Sequence, residues 1–121
     1  MDKSQQRDEF KKRIKAFILD LMVFIGSLPA SQTSKIISGQ LLRSGTSVGA
    51  NYFEAIAASS KKDFINFFHY FLKSANETSF WLDILLDSGK CDKNPGQKLL
   101  KESRELSNIL AASLITMKSK N

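Results

Sequence analysis

Residues 43–55 read Arg-Ser-Gly-Thr-Ser-Val-Gly-Ala-Asn-Tyr-Phe-Glu-Ala, and residues 73–82 read Lys-Ser-Ala-Asn-Glu-Thr-Ser-Phe-Trp-Leu. The first stretch decides the fold because it must be helix against its own local preferences. Gly45, Thr46, Val48 and Gly49 all weaken helix propensity, and residues that break a local rule are kept for packing or for function. At the helical period of about 100° per residue, Arg43, Ser47, Asn51 and Glu54 fall into one polar stripe. Leu41, Val48, Tyr52 and Ala55 form an apolar stripe beside it. Glu77 in the second stretch is a further polar group within reach of such a stripe. Polar side chains bordering a core must be hydrogen-bonded or wet, so the row is a specificity network or a site.

Outward from this stretch the chain resolves into helices. In the first, Phe10, Ile14, Phe17, Leu21, Phe24 and Leu28 are spaced 4, 3, 4, 3, 4, which is a heptad seam. Leu28-Pro29 and Ala30-Ser31 make a connection. Ser60-Lys61-Lys62-Asp63 fits a capping box, with Asp63 reaching back to Ser60. After it, Phe64, Phe68, Phe71, Ala75, Thr78, Leu82 and Leu85 repeat the heptad spacing, and Gly89 suits the C′ position that ends the helix. Asn94 then serves as cap with Pro95 at the first helical position, and Leu99, Ser103, Leu106, Leu110, Ser113 and Met117 share one face. The spacing predicts helices over about 4–27, 33–58, 61–88 and 95–118. Short connections between long helices predict an all-α, antiparallel up-down-up-down four-helix bundle, a single domain over residues 1–121. Phe17, Leu21, Leu41, Phe68, Phe71, Leu82 and Leu106 are its expected core.

The outer sides of two helices are unusually apolar. Leu19 and Val23 point away from the first seam, and Tyr70, Phe80, Trp81 and Ile84 lie outside the third. A surface helix should have a polar back, so these six residues are candidates for a subunit interface.

The formal net charge is +6 with a sequence pI of about 9.6. Residues 1–28 contribute +2, residues 29–89 balance, and residues 90–121 contribute +4. The excess suits a polyanionic partner such as RNA or DNA, and also suits plain solubility. Candidate phosphate-binding residues are Lys11, Lys12, Arg13 and Lys15 on the first helix and Lys98, Lys101 and Arg104 on the last. The apolar run Ala16–Ile25 follows basic residues but is broken by Asp20, and it is too short and too charged for a signal peptide or a membrane span. With one cysteine and therefore no internal disulfide, a cytoplasmic location is expected.

The quoted stretches carry a family resemblance. Residues 40–51, Gln-Leu-Leu-Arg-Ser-Gly-Thr-Ser-Val-Gly-Ala-Asn, with Glu54-Ala55, Asp63-Phe64, Lys73, Ala75, Glu77-Thr78 and Trp81-Leu82, resemble the signatures of the four-helix-bundle 23S rRNA intervening-sequence proteins. Relatives of that family include the accessory variability proteins of diversity-generating retroelements. Tyr52-Phe53 departs from the pattern, which commonly has smaller or aliphatic residues there. The resemblance implies a homopentamer with a central channel, and genes sometimes lodged within inserted segments of ribosomal RNA genes. It implies no established activity. In the retroelement relatives a basic pentamer associates with a reverse transcriptase and nucleic acid.

Little in the sequence points to catalysis. His69 is the only histidine and Cys91 the only cysteine, so no His/Cys metal set is available. No glycine-rich phosphate loop follows a strand. Cys91 lies between Lys90 and Lys93, which would lower its pKa slightly. Glu54 and Glu77 could form a carboxylate pair, or could bind Arg43, Lys73 or Asn51 structurally. The expectation is a non-enzymatic, homo-oligomeric bundle that binds nucleic acid (the RNA or DNA backbone) or a nucleic-acid-handling protein and takes no cofactor. The alternatives are a protein scaffold without nucleic acid, or an enzyme using the Arg43/Asn51/Glu54/Glu77 cluster.

Overall fold

The computed structural model describes residues 2–119. Met1, Asn121 and the Lys120 counted in the basic tail lie outside the described residues. Among the described residues there are four helices: α1 (Lys3–Gly26), α2 (Gln32–Ile56), α3 (Lys61–Ser88) and α4 (Lys93–Ser119). Three starts are fixed by side-chain caps that satisfy orphan backbone N–H groups. Asp2 accepts from the Gln5 N–H at 2.8 Å while the Gln5 side chain accepts from the Asp2 N–H, a complete capping box. Ser31 accepts from Ser34 N–H and Ser60 from Asp63 N–H, each at 3.1 Å. The expected return bond to the Asp63 carboxylate is not among the described bonds; aspartate is one methylene shorter than the glutamate that usually closes this box. Gly89 ends α3 at φ 71, a left-handed conformation that glycine adopts without steric cost.

The start of α4 differs from expectation. The helix begins at Lys93, not Pro95, and Gly96 N–H bonds to the Asp92 carbonyl at 3.2 Å. Proline lacks only an N–H that the first turn does not use, so Pro95 sits inside that turn without terminating it. The ends of α1 and α2 fall one or two residues from the expected bounds, where the Ser27 and Ala57 N–H groups close the last turns.

Packing runs α1–α2–α3–α4–α1, which leaves α1 diagonal to α3 and α2 diagonal to α4. Each adjacent pair is antiparallel, since rising numbers on one helix meet falling numbers on the next. Gly45 lies on Leu21 and Gly49 on Ile18. Ser44 meets Thr78 and Asn51 meets Ser74. Gly96 adjoins Leu86 while Ser103 meets Ser79. All seven expected core residues are buried in one cluster with Ile14, Phe24, Val48 and Leu110 among others. Towards the C-terminal end of α2 the core is aromatic. The Tyr52 ring stands edge-on to Phe10 at 5.0 Å and to Phe71 at 5.5 Å between centroids.

Two kinds of small residue set the spacing. A Cβ at Gly45 would run into the Leu21 side chain, and one at Gly49 would stand 2.7 Å from Ile18 Cδ1. The two glycines, one turn apart, let α1 settle onto the α2 backbone. The α2–α3–α4 side uses hydroxyls instead. Thr78 donates to Ser44 at 3.0 Å, the Ser79 and Ser103 hydroxyls are 2.6 Å apart, and Ser103 also donates to the Ala75 carbonyl at 3.0 Å.

The glycines of α2 should therefore respond oppositely to alanine. A methyl added at Gly39 would meet open space, so Gly39→Ala should raise stability by about 0.5–1 kcal/mol through helix propensity. Gly45→Ala should lose stability, because overpacking typically costs about 1–3 kcal/mol. Urea denaturation of both variants checks the signs. In the same assay Phe71→Ala, at a fully buried position, should cost about 3–5 kcal/mol.

Candidate functional site: a polar cluster and two basic faces

The polar stripe of α2 divides in the structure. Arg43 bonds to the Glu77 carboxylate across the α2–α3 seam and to Gln40 Oε1 at 3.0 Å on its own helix. The same Glu77 oxygen accepts the Trp81 indole N–H at 3.2 Å, one turn along α3. The row Gln40–Arg43–Glu77–Trp81 thus staples α2 to α3 from the outside. Asn51 forms a second link, donating to the Ser47 carbonyl at 2.9 Å and to Ser74 Oγ at 3.4 Å. Ser47 turns its hydroxyl onto the Arg43 carbonyl. Glu54 is exposed and takes part in neither link; at its helical phase it lies outside the line from Arg43 to Glu77.

This cluster is more open than a buried pair. The Arg43 side chain is 56% exposed and that of Glu77 31%. The more prominent surface depressions lie elsewhere, at the α1–α2 connection and in a groove between α1 and α4 floored by Phe17, Phe24 and Leu99. Among the described residues no group of three His, Cys, Asp or Glu side chains is placed to hold a metal ion.

The basic candidates separate onto different faces. Arg13 turns towards α4, where its Nε and Nη2 meet both Glu102 oxygens at 2.8 and 2.6 Å and Nη2 also meets Glu105 at 2.8 Å. The hydrogen bond to Glu102 is the main reason its pKa rises above the ordinary guanidinium value. Arg13 is therefore a clamp between α1 and α4, and its charge is neutralised in place. Lys12 pairs with Glu9 at 3.6 Å on the open surface. Lys11 instead leans towards α2, its Nζ 5.4 Å from the centre of the Phe53 ring. Lys15 is exposed on α1. On α4, Lys101 and Arg104 share a shallow depression with Asp83, Asp87 and Glu105, while Lys98 borders the α1–α4 groove near Asp20 and Asp92. The seven candidates do not form one patch on the chain.

The interface candidates also separate. Leu19, Val23, Tyr70, Phe80 and Ile84 are exposed, Val23 by 76%. Trp81 is half-buried, packed on the core with its N–H on Glu77 and its ring edge-on to Phe80 at 4.9 Å. Cys91 departs from expectation. Desolvation by burial is the leading cause that raises its thiol pKa, with Asp92 adding to it, so Lys90 and Lys93 do not prevail. Sequence spacing could not find the acidic partners of Arg13, which lie 89 and 92 residues away. The opposing heptad phases of α1 and α4 were the available signal.

These features define a class: a small, basic, all-helical bundle whose polar groups tie helices together and whose apolar residues spill onto two outer faces. Residues 8–112 match the family described as 23S rRNA-intervening sequence protein, and the chain belongs to that family. A solved crystal structure is similar over 86% of this chain and 96% of its own, at 34% identity and a TM-score of 0.79. That protein, from Bacteroides thetaiotaomicron VPI-5482, is described as one of unknown function from the S23 ribosomal protein family. No curated protein matches the chain.

Because the Arg43–Glu77 pair is half open to water, Arg43→Ala should cost about 0.2–1 kcal/mol, the range of exposed pairs, and not the larger loss of a buried one. A double-mutant cycle with Glu77→Ala, read by urea denaturation, measures the coupling. For Cys91, a raised pKa means less thiolate near neutral pH. Alkylation by iodoacetamide at pH 8 should be slower in the folded protein than in urea, where the thiol returns to its ordinary value.

Proposed function

We propose that the protein is a non-catalytic, homo-oligomeric bundle whose basic surface engages the backbone of RNA or DNA. The observation that carries the oligomer is the pair of unlike apolar faces on diagonally opposed helices. Leu19 and Val23 stand on α1, and Tyr70, Phe80 and Ile84 on α3. Two different faces on opposite sides of one chain favour head-to-tail contacts, which close into a ring when the rotation permits. The number five follows from the family resemblance alone. Assembly of five chains at +6 each gives about +30, a field that draws polyanions strongly. Phosphate contacts carry little base information, so binding on this reading is weakly specific and falls steeply with salt. The polar cluster supports the same reading: Arg43, Glu77, Trp81, Asn51 and Ser74 take up one another's hydrogen-bonding groups in joining α2 to α3.

The location that goes with this function is the cytoplasm, where a lone thiol such as Cys91 stays reduced and nucleic acid is at hand. No helix among the described residues is long and apolar enough to cross a membrane.

Light scattering of the purified protein should give a mass near five chains, and Val23→Glu should lower it. A monomer at micromolar concentration removes the oligomer. In gel retardation at about 50 mM salt, where electrostatic binding is favoured, RNA or DNA should be shifted and the shift lost at moderate salt. Absence of any shift replaces nucleic acid with a protein partner.

A further inference from the structure

Phe53 is an aromatic ring left 45% exposed on α2, next to a buried tyrosine. Its neighbour Tyr52 fills the aromatic core, so the residue after it is turned outward by helical phase. The Phe53 ring meets Tyr52 only edge-on, at 6.5 Å between centroids. A cation covers its face: Lys11 from α1 stands over it at 5.4 Å, in the geometry of a cation–π contact. Lys11 belongs to a row. Arg7, Lys11 and Lys15 recur every four residues, so they lie on one flank of α1 about 6 Å apart along the axis. Arg7 is near enough to α2 to act on the Tyr52 hydroxyl, pulling its pKa down against the burial that raises it. Asp8 borders this row; Glu9 is taken up by Lys12. The other arginine of α1, Arg13, is locked to α4.

We propose that this flank is a single-strand nucleic-acid site, in which a base stacks on the Phe53 ring while Arg7, Lys11 and Lys15 take successive phosphates. The inference rests on the nucleic-acid reading above and narrows it to one face and one kind of strand. A flat aromatic accepts any base, and an unpaired base has its face free where a paired one does not. Lys11 moves from the ring to a phosphate, or stays on the opposite ring face. Charge complementarity selects the occupant: a bare apolar partner would leave three cations unanswered, whereas a phosphodiester strand meets both the ring and the row.

The experiment compares a fluorescein-labelled 20-nucleotide oligo(U) with a 20-base-pair RNA duplex, by anisotropy over a salt series. Base–aromatic stacking removed by alanine predicts that Phe53→Ala weakens oligo(U) binding by about five- to a hundred-fold and leaves the duplex nearly unchanged. Phe53→Trp should restore oligo(U) binding. Replacing Arg7, Lys11 and Lys15 together by glutamine should reduce the single-strand salt slope by about 2, at about 0.7 per phosphate lost. Phe53 is outside the core, so a thermal melt and light scattering serve as controls. Equal loss for both probes with Phe53→Ala, no loss for either, or a change in assembly mass overturns the stacking site while the general nucleic-acid reading stands. A wild-type protein that binds neither probe overturns both.

Discussion

The close approach of α1 to α2 at Gly45 and Gly49 is the constraint on which the rest of the bundle depends. Two missing side chains, one turn apart, admit Leu21 and Ile18 to the α2 backbone. Close-packed interiors transmit such displacements. A methyl at Gly45 would displace the Leu21 tip, and one at Gly49 the Ile18 tip, beside the core into which α1 also places Phe10, Ile14, Phe17 and Phe24. The weak helix formers that made residues 43–55 look awkward are thus the condition for a tight four-way core, and the long apolar seam on either side supplies the helix stability they forgo.

The bundle is held unevenly as a result. α2, α3 and α4 are joined by hydroxyl pairs within the interior and by Arg43 and Asn51 at its edge. α1 is held by apolar packing on one side and by the Arg13 fork on the other. The groove between α1 and α4 lies along this less crowded seam, and Arg13 and Glu102 stand at its border.

Much of this was readable in the sequence because period and caps are local properties. The heptad seams of α1 and α3, Ser60, Gly89 and the buried set from Phe17 to Leu106 follow from residue spacing and backbone chemistry. What escaped was non-local. Glu77 and not Glu54 answers Arg43 because the relative rotation of α2 and α3 decides it, and rotation is set by core packing. Arg13 resembled its lysine neighbours until α4 brought Glu102 and Glu105 beside it. Trp81, grouped with an outer face, is partly buried against the core, and its indole N–H bonds to Glu77 one turn away on the same helix. Cys91 was judged by its charged flanks, but burial sets its acidity. The early start of α4 reflects a tolerance of Pro95 that two-residue cap rules do not express.

The interior hydroxyls have a bearing on uniqueness. Seams that repeat every seven residues are nearly self-similar, so sliding one helix past its neighbour by two turns sets apolar groups against apolar groups again. Ser44 with Thr78 and Ser79 with Ser103 break that degeneracy. A slip would part these hydroxyl pairs and take Ser103 off the Ala75 carbonyl, while Ser44, Thr78 and Ser79 would keep only the carbonyls of their own helices. Small polar residues at a seam thus act as index marks, as a single buried polar residue does in coiled coils, and they single out one alignment from a set the greasy residues alone would leave nearly equal.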